Sequence, residues 1–142
     1  MQHPIEILER YWNFTDFRPL QEDIINAVLE GEDTFALLPT GGGKSICFQI
    51  PALAKDGICI VISPLIALMK DQVQALLEKD IKAMALTSEY SYSDINRMLD
   101  NCIYGNYKFL YLSPERLLQD IVQDRIRQMN VNLIAVDEAH CF

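Results

Sequence analysis

Apolar residues recur along the chain with two distinct periods. Ile58 to Ile62 and Val131 to Val136 are short, nearly continuous apolar runs, whereas Leu65, Leu68, Met69, Val73, Leu76 and Leu77 return every three or four residues. The first pattern predicts parallel strands buried on both faces, the second an amphipathic helix running to about Glu78. Other segments fall to one side or the other. Pro4 stands at a first-turn position before Ile5, Ile7, Leu8 and Trp12, and predicts an opening helix. Pro19 with Ile24, Ile25, Val28 and Leu29 predicts a second, closed by Gly31. Thr34 to Leu38 reads as a strand, followed by a helix opened by Ser45 through Ile46, Cys47, Phe48 and Ile50. Ile81 to Leu86 and Tyr107 to Leu112 read as strands. Ser93 is expected to cap a helix through Ile95, Met98 and Leu99, and helical turns are expected from Pro114 to about Met129. Repeated βα units of this length imply an α/β fold, a parallel sheet flanked by helices. No repeat, low-complexity tract or flexible linker marks an internal boundary.

Two stretches of this pattern carry chemistry. Thr40-Gly41-Gly42-Gly43-Lys44-Ser45 follows the strand to Leu38. Glycines lack a Cβ, so successive N–H groups can turn inward around a phosphate. Lys44 adds a mobile cation for the β- and γ-phosphates, and the Ser45 hydroxyl can ligate Mg²⁺ at the positive end of its helix. The run departs from G-x-x-x-x-G-K-[ST] at its first position, which is Leu38. The glycines nearest the lysine, which must approach the phosphates, are kept.

The second stretch is Asp137-Glu138-Ala139-His140, directly behind the apolar strand ending at Val136. Ligands in parallel α/β folds sit at the carboxyl ends of strands. Asp137 there would hold the Mg²⁺ shell and Glu138 would orient or deprotonate an attacking water. His140 lies too far along to touch the metal easily and suits a relay. Together the two stretches predict a P-loop ATPase with ATP and Mg²⁺ as its small-molecule partners.

Composition narrows the setting. The chain has 142 residues, half of them apolar, enough for one domain with a real core. Its longest apolar stretches are strand-length, and no basic-then-apolar leader precedes Pro4, so no membrane partner and a cytoplasmic setting are expected. Cys47, Cys59, Cys102 and Cys141 stand far apart without C-x-x-C spacing, which speaks against a zinc cluster or a disulfide framework here. The net charge of −8 would repel nucleic acid as a whole, so any polynucleotide contact must be local.

Upstream of the glycine loop, Leu8, Trp12, Phe17-Arg18-Pro19-Leu20-Gln21 and Ile24-Ile25 follow a longer pattern, L-x3-aromatic-G-x3-F-R-x2-Q-x2-[AI]-I. With these residues the chain resembles the RecQ family of superfamily 2 DNA helicases over nearly its whole length. Asn13 stands where that pattern has glycine, and asparagine tolerates the left-handed turn better than other residues with a side chain. The resemblance implies that Gln21 reads the adenine edge by paired hydrogen bonds, with Arg18 assisting and Trp12 packing near the base. It makes residues 1–31 a helical adenine-recognition segment, and the whole of 1–142 an incomplete first RecA-like lobe.

Three further segments resemble DNA-contacting motifs of that family. They are Val61 to Val73, with Ser63 and Lys70; Thr87-Ser88; and Tyr111 to Arg116, with Ser113. Each sets a hydroxyl after a strand, where it and the helix-start amides could meet a DNA phosphate. The DEAH form of the acidic motif is also the family's. The resemblance implies ATP-driven 3′-to-5′ unwinding of duplex DNA in repair and recombination, by two RecA-like lobes that grip one strand. It also implies nucleoid association in a bacterial cell, and zinc, if used at all, only beyond Phe142. The chain looks like a fragment carrying most of the ATP-binding lobe, not expected to unwind alone. Two alternatives stay open, a DExH motor acting on RNA and a nucleotide-dependent binding module without catalysis.

Overall fold

The computed structural model describes residues 2–34 and 43–138, which belong to two compact units, 1–56 and 57–142. In the first unit, Pro4 opens helix α1 (Pro4–Ile7), which passes into a π-helical turn, Leu8–Trp12. Asn13 ends that turn in the left-handed conformation, φ 59°, the geometry for which its short amide was expected to stand in for glycine. Helix α2 (Gln21–Leu29) starts at Gln21 instead of Pro19. Leu20 adopts a positive φ of 73° there, which breaks the helical path between the proline and the first turn. Gly31, at φ 84°, follows the end of α2 as expected. Helix α3 (Ile46–Ala54) opens at Ser45. Ile7, Leu8, Ile25, Ile46, Ile50 and Ala54 form the core of this unit, with Trp12 and Phe17 packed against it. The strand expected at Thr34 to Leu38 falls, beyond Thr34, outside the described residues.

The second unit holds four parallel strands in the order β2-β3-β1-β4. They are β1 (Ile58–Ile62), β2 (Ala83–Leu86), β3 (Phe109–Leu112) and β4 (Val131–Val136). The bounds of β1 and β4 are those read from the apolar runs. β2 and β3 start two residues later than expected, although the Lys82 and Lys108 carbonyls still accept the first inter-strand bonds, from Lys108 N–H at 2.9 Å and Cys59 N–H at 2.8 Å. Gly57 enters β1 at φ 107°, and a Cβ there would lie 2.3 Å from the Asn130 carbonyl oxygen, the acceptor for the Ile58 N–H at 2.8 Å. Only glycine admits that close approach.

Helices cover both faces of this sheet. Helix α4 (Ile66–Glu78) turns Met69, Val73 and Leu76 inward and packs against β2 and β3. On the opposite face, α5 (Tyr92–Tyr104) and α7 (Asp120–Arg127) close a core of Ile58, Ile60, Ile62, Leu86, Ile95, Leu99, Leu110, Leu112 and Val122. A short helix, α6 (Pro114–Leu117), precedes α7. β4 departs from the expectation of burial on both faces: Ile134 is 61% and Val136 49% exposed. Among the described residues β4 is an edge strand, paired with β1 on one side. Cys47, Cys59 and Cys102 are buried, and burial pushes the Cys102 thiol up to about 12. They are packing groups, inert at neutral pH.

Ser93 does not cap α5. Ser91 does: its hydroxyl accepts the Asp94 N–H at 3.2 Å, and the Asp94 carboxylate accepts the Ser91 N–H at 3.3 Å, a reciprocal capping box. The acid three residues on selects the earlier serine. Ser91→Ala should therefore cost about 1 kcal/mol in denaturant unfolding, and Ser93→Ala no more than about 0.5 kcal/mol. Equal losses would show that the box does not hold α5.

Candidate functional site

The strand register aligns the expected site residues of the second unit. Leu86 pairs with Leu112, Leu112 with Ile62, and Ile62 with Val136, so the four strands end in one row. The next residue in each chain direction is Thr87, Ser113, Ser63 and Asp137. Four residues singled out separately thus share the carboxyl edge of one sheet, where α/β folds bind ligands.

Asp137 is held firmly in that row. Its N–H donates to the Ile62 carbonyl at 2.9 Å, the last rung of the ladder, and its side chain is only 6% exposed. Oδ1 accepts the Glu138 N–H at 3.1 Å, and Oδ2 accepts from Gln72 Nε2 at 3.1 Å. Glu138 follows in the left-handed conformation, φ 55°, which turns the chain sharply away from the strand direction. His140 lies outside the described residues.

The hydroxyls expected at DNA are engaged within their own turns. Ser63 is buried and accepts the Leu65 N–H at 3.3 Å, while Ser113 caps α6 by accepting the Arg116 N–H at 3.3 Å. Thr87 is buried and donates to Glu89 at 2.9 Å. Ser88 and Lys70 are exposed, and Lys70 pairs with Glu89 at 3.1 Å. The Thr87 hydroxyl and then the Lys70 ammonium hold the Glu89 carboxyl below its ordinary range. Arg116 is buried and ties two of these turns together. Its Nε and Nη2 donate to the Thr87 carbonyl at 3.1 and 2.7 Å, and Nη1 donates to Gln119 at 3.1 Å.

In the first unit, Gln21 is buried and bonded at both ends of its amide. Oε1 accepts the Arg18 N–H at 2.8 Å, and Nε2 donates to the Gly43 carbonyl at 3.0 Å. The amide therefore joins the start of α2 to the end of the glycine run. Trp12 is half-buried and meets Tyr11 edge-on, with ring centroids 6.4 Å apart. Ser45 opens α3 without a side-chain cap bond, so its hydroxyl is not spent on the helix, and Lys44 directly precedes it. Thr40, Gly41 and Gly42 lie outside the described residues.

Gln72 and Tyr111 were missed as site residues by the sequence reading. The Tyr111 hydroxyl donates to Gln72 Oε1 at 2.7 Å, so the pair backs Asp137. One signal was present: Gln72 interrupts the apolar stripe of Met69, Val73 and Leu76, and Tyr111 brings a hydroxyl into a fully buried strand. Polar atoms in such places need partners.

The DEAD/DEAH box helicase family matches residues 18–142, and the chain belongs to that family. Among its relatives, the ATP-dependent DNA helicase RecQ of Synechocystis is 46% identical over 96% of this chain and 29% of its own length. The ATP-dependent DNA helicase RecQ of Bacillus subtilis is 46% identical over 95% of this chain and 23% of its own length. The chain thus spans less than a third of these curated relatives. In structure it resembles the DUF1998 helicase MrfA, crystallised with DNA and AMPPNP, at a TM-score of 0.80 and 22% identity over 99% of this chain and 21% of that one. That likeness supports the lobe fold. No described helix is long and apolar enough to cross a membrane.

Gly43 has φ 78°, and a Cβ on it would lie 2.7 Å from Gln21 Nε2. Gly43→Ala should displace the glutamine amide and lower the unfolding free energy by about 1–2 kcal/mol. An unfolding midpoint equal to that of the unsubstituted protein would show that the bond is dispensable.

Proposed function

We propose that the chain is the nucleotide-binding part of an ATP-dependent DNA helicase of the RecQ kind, unwinding duplex DNA 3′ to 5′ in repair and recombination. One observation supports it most directly: a buried, doubly bonded Asp137 stands in the same strand-end row as Ser63, Thr87 and Ser113. Parallel sheets bind along this edge, and a metal-ligand carboxylate beside phosphate-contacting turns is what a DNA-driven ATPase needs. The names of the RecQ relatives agree with it.

The roles follow from the chemistry. The amides of Gly41, Gly42 and Gly43 cradle the triphosphate, and Lys44 balances charge on its outer phosphates. Ser45 and Asp137 fit Mg²⁺ by the chemistry of their donors, a hydroxyl that is not used as a helix cap and a carboxylate, both hard oxygen ligands. When bound, Mg²⁺ supplies charge neutralisation to the phosphates. Glu138 orients the attacking water or takes its proton, and His140 relays the state of the site onward. Gln21 keeps one amide hydrogen and one oxygen lone pair beyond its present bonds, the pair needed to read adenine, with Arg18 assisting and Trp12 packing near the base.

Along the sheet edge, the exposed Lys70 and Ser88 and the turns at Ser63, Thr87 and Ser113 meet the phosphates of a DNA strand. A second RecA-like lobe of the same protein completes the motor. The setting is the cytoplasm, with nucleoid association in a bacterial cell.

Lys44→Ala in the intact protein should lower DNA-stimulated ATP turnover by about a thousandfold, on the scale of a lost transition-state contact, while circular dichroism stays unchanged. Turnover within tenfold of the unsubstituted protein would remove the phosphate-loop assignment. Stimulation by RNA and not by DNA would make the motor an RNA enzyme.

A further inference from the structure

Gln72 sits on the sheet-facing side of α4, between Met69 and Val73, and reaches two other elements. Its Nε2 donates to Asp137 Oδ2 at 3.1 Å behind β4, and its Oε1 accepts the Tyr111 hydroxyl at 2.7 Å on β3. Tyr111 is wholly buried, so its ring cannot swing away without opening the core. A carboxylate only accepts, so the amide must turn its NH₂ toward Asp137, and Oε1 is left to accept from the Tyr111 hydroxyl.

This arrangement does something a lysine or arginine partner could not. The Glu138 N–H bonds Oδ1 at 3.1 Å, on the opposite side of the carboxylate from the glutamine amide. A second bond, on Oδ2, fixes its plane. The Gln72 donor is a neutral amide, so this bond orients the carboxylate without adding a positive charge beside it. Partners of this kind, one step behind a metal ligand, set its orientation and strength.

We propose that Gln72 is the positioning residue for the Asp137 carboxylate, with Tyr111 fixing Gln72 in turn. This rests on Asp137 being the Mg²⁺ ligand, as proposed above. It also gives α4 a double duty. Lys70 and Gln72 ride on the same helix, and that helix leaves β1 through the Ser63 turn. A strand of DNA drawing on Lys70 or on the Ser63 turn shifts α4, and the Gln72–Asp137 bond carries that shift to the metal ligand.

The test uses the intact protein, with Mg²⁺ binding titrated calorimetrically in the presence of a non-hydrolysable ATP analogue, and ATP turnover followed as Mg²⁺ is varied at fixed ATP, with and without single-stranded DNA. Gln72→Leu keeps the side chain's bulk and removes both hydrogen bonds. It should raise the half-saturating Mg²⁺ concentration about tenfold and reduce the stimulation by DNA, while the thermal midpoint stays within a few degrees. Tyr111→Phe, which keeps the buried ring, should move both quantities the same way by less, and decides the question if Gln72→Leu proves unstable. A Mg²⁺ requirement within twofold of the unsubstituted protein in both variants would overturn the proposal. Asp137→Asn separates the two layers: if it abolishes turnover while the Gln72 and Tyr111 variants are unaffected, only the positioning role fails. If Asp137→Asn keeps its turnover, the metal assignment itself fails, and the positioning role with it.

Discussion

The parallel ladder of residues 57–142 is the constraint on which the rest depends. Parallel pairing requires every strand to leave the sheet on the same side, and the register here ends all four strands in one row. Whatever side chain follows each strand is then delivered to a shared edge by the backbone alone. The ladder's last rung, from the Asp137 N–H to the Ile62 carbonyl, carries this geometry one residue past β4 and into the acidic turn. Hydrophobic burial of Ile58 to Ile62 and Phe109 to Leu112 drives the pairing, and the site inherits its precision from that core.

The polar groups at this edge are few, and most are bonded in pairs that cross between elements. Gln72 joins α4 to β3 and β4, Arg116 joins the end of β2 to α6, and Glu89 joins the Thr87 turn to α4. Exposed links such as Lys70–Glu89 add little stability. The buried ones matter more, since each removal would strand a partner away from water. In residues 1–56 the same principle places Gln21 between α2 and Gly43.

Much of this was legible in the sequence wherever one local signal decided the outcome. β1 and β4 are uninterrupted apolar runs, and their bounds were read to the residue. α4 announced itself by its stripe of Leu68, Met69, Val73 and Leu76. Signals that compete locally were harder. Pro19 looked like a helix start because Leu20 gives no sign of its positive φ, and Ser93 hid the better cap formed by Ser91 with Asp94. The exposure of Ile134 and Val136 could not be read at all, because strand order decides it and composition does not. Nor could the link of Tyr111 to Gln72 and Asp137, which joins residues 39 and 65 positions apart.

Arg116 carries a mechanical consequence. Its planar guanidinium grips the Thr87 carbonyl with two nitrogens and Gln119 with a third, while its own backbone N–H holds the Ser113 cap. Two turns that are far apart in sequence are thereby riveted into a single rigid lip. A load applied to either is shared by both, so the lip yields as one body or stays put, and it transmits a tug sideways instead of absorbing it.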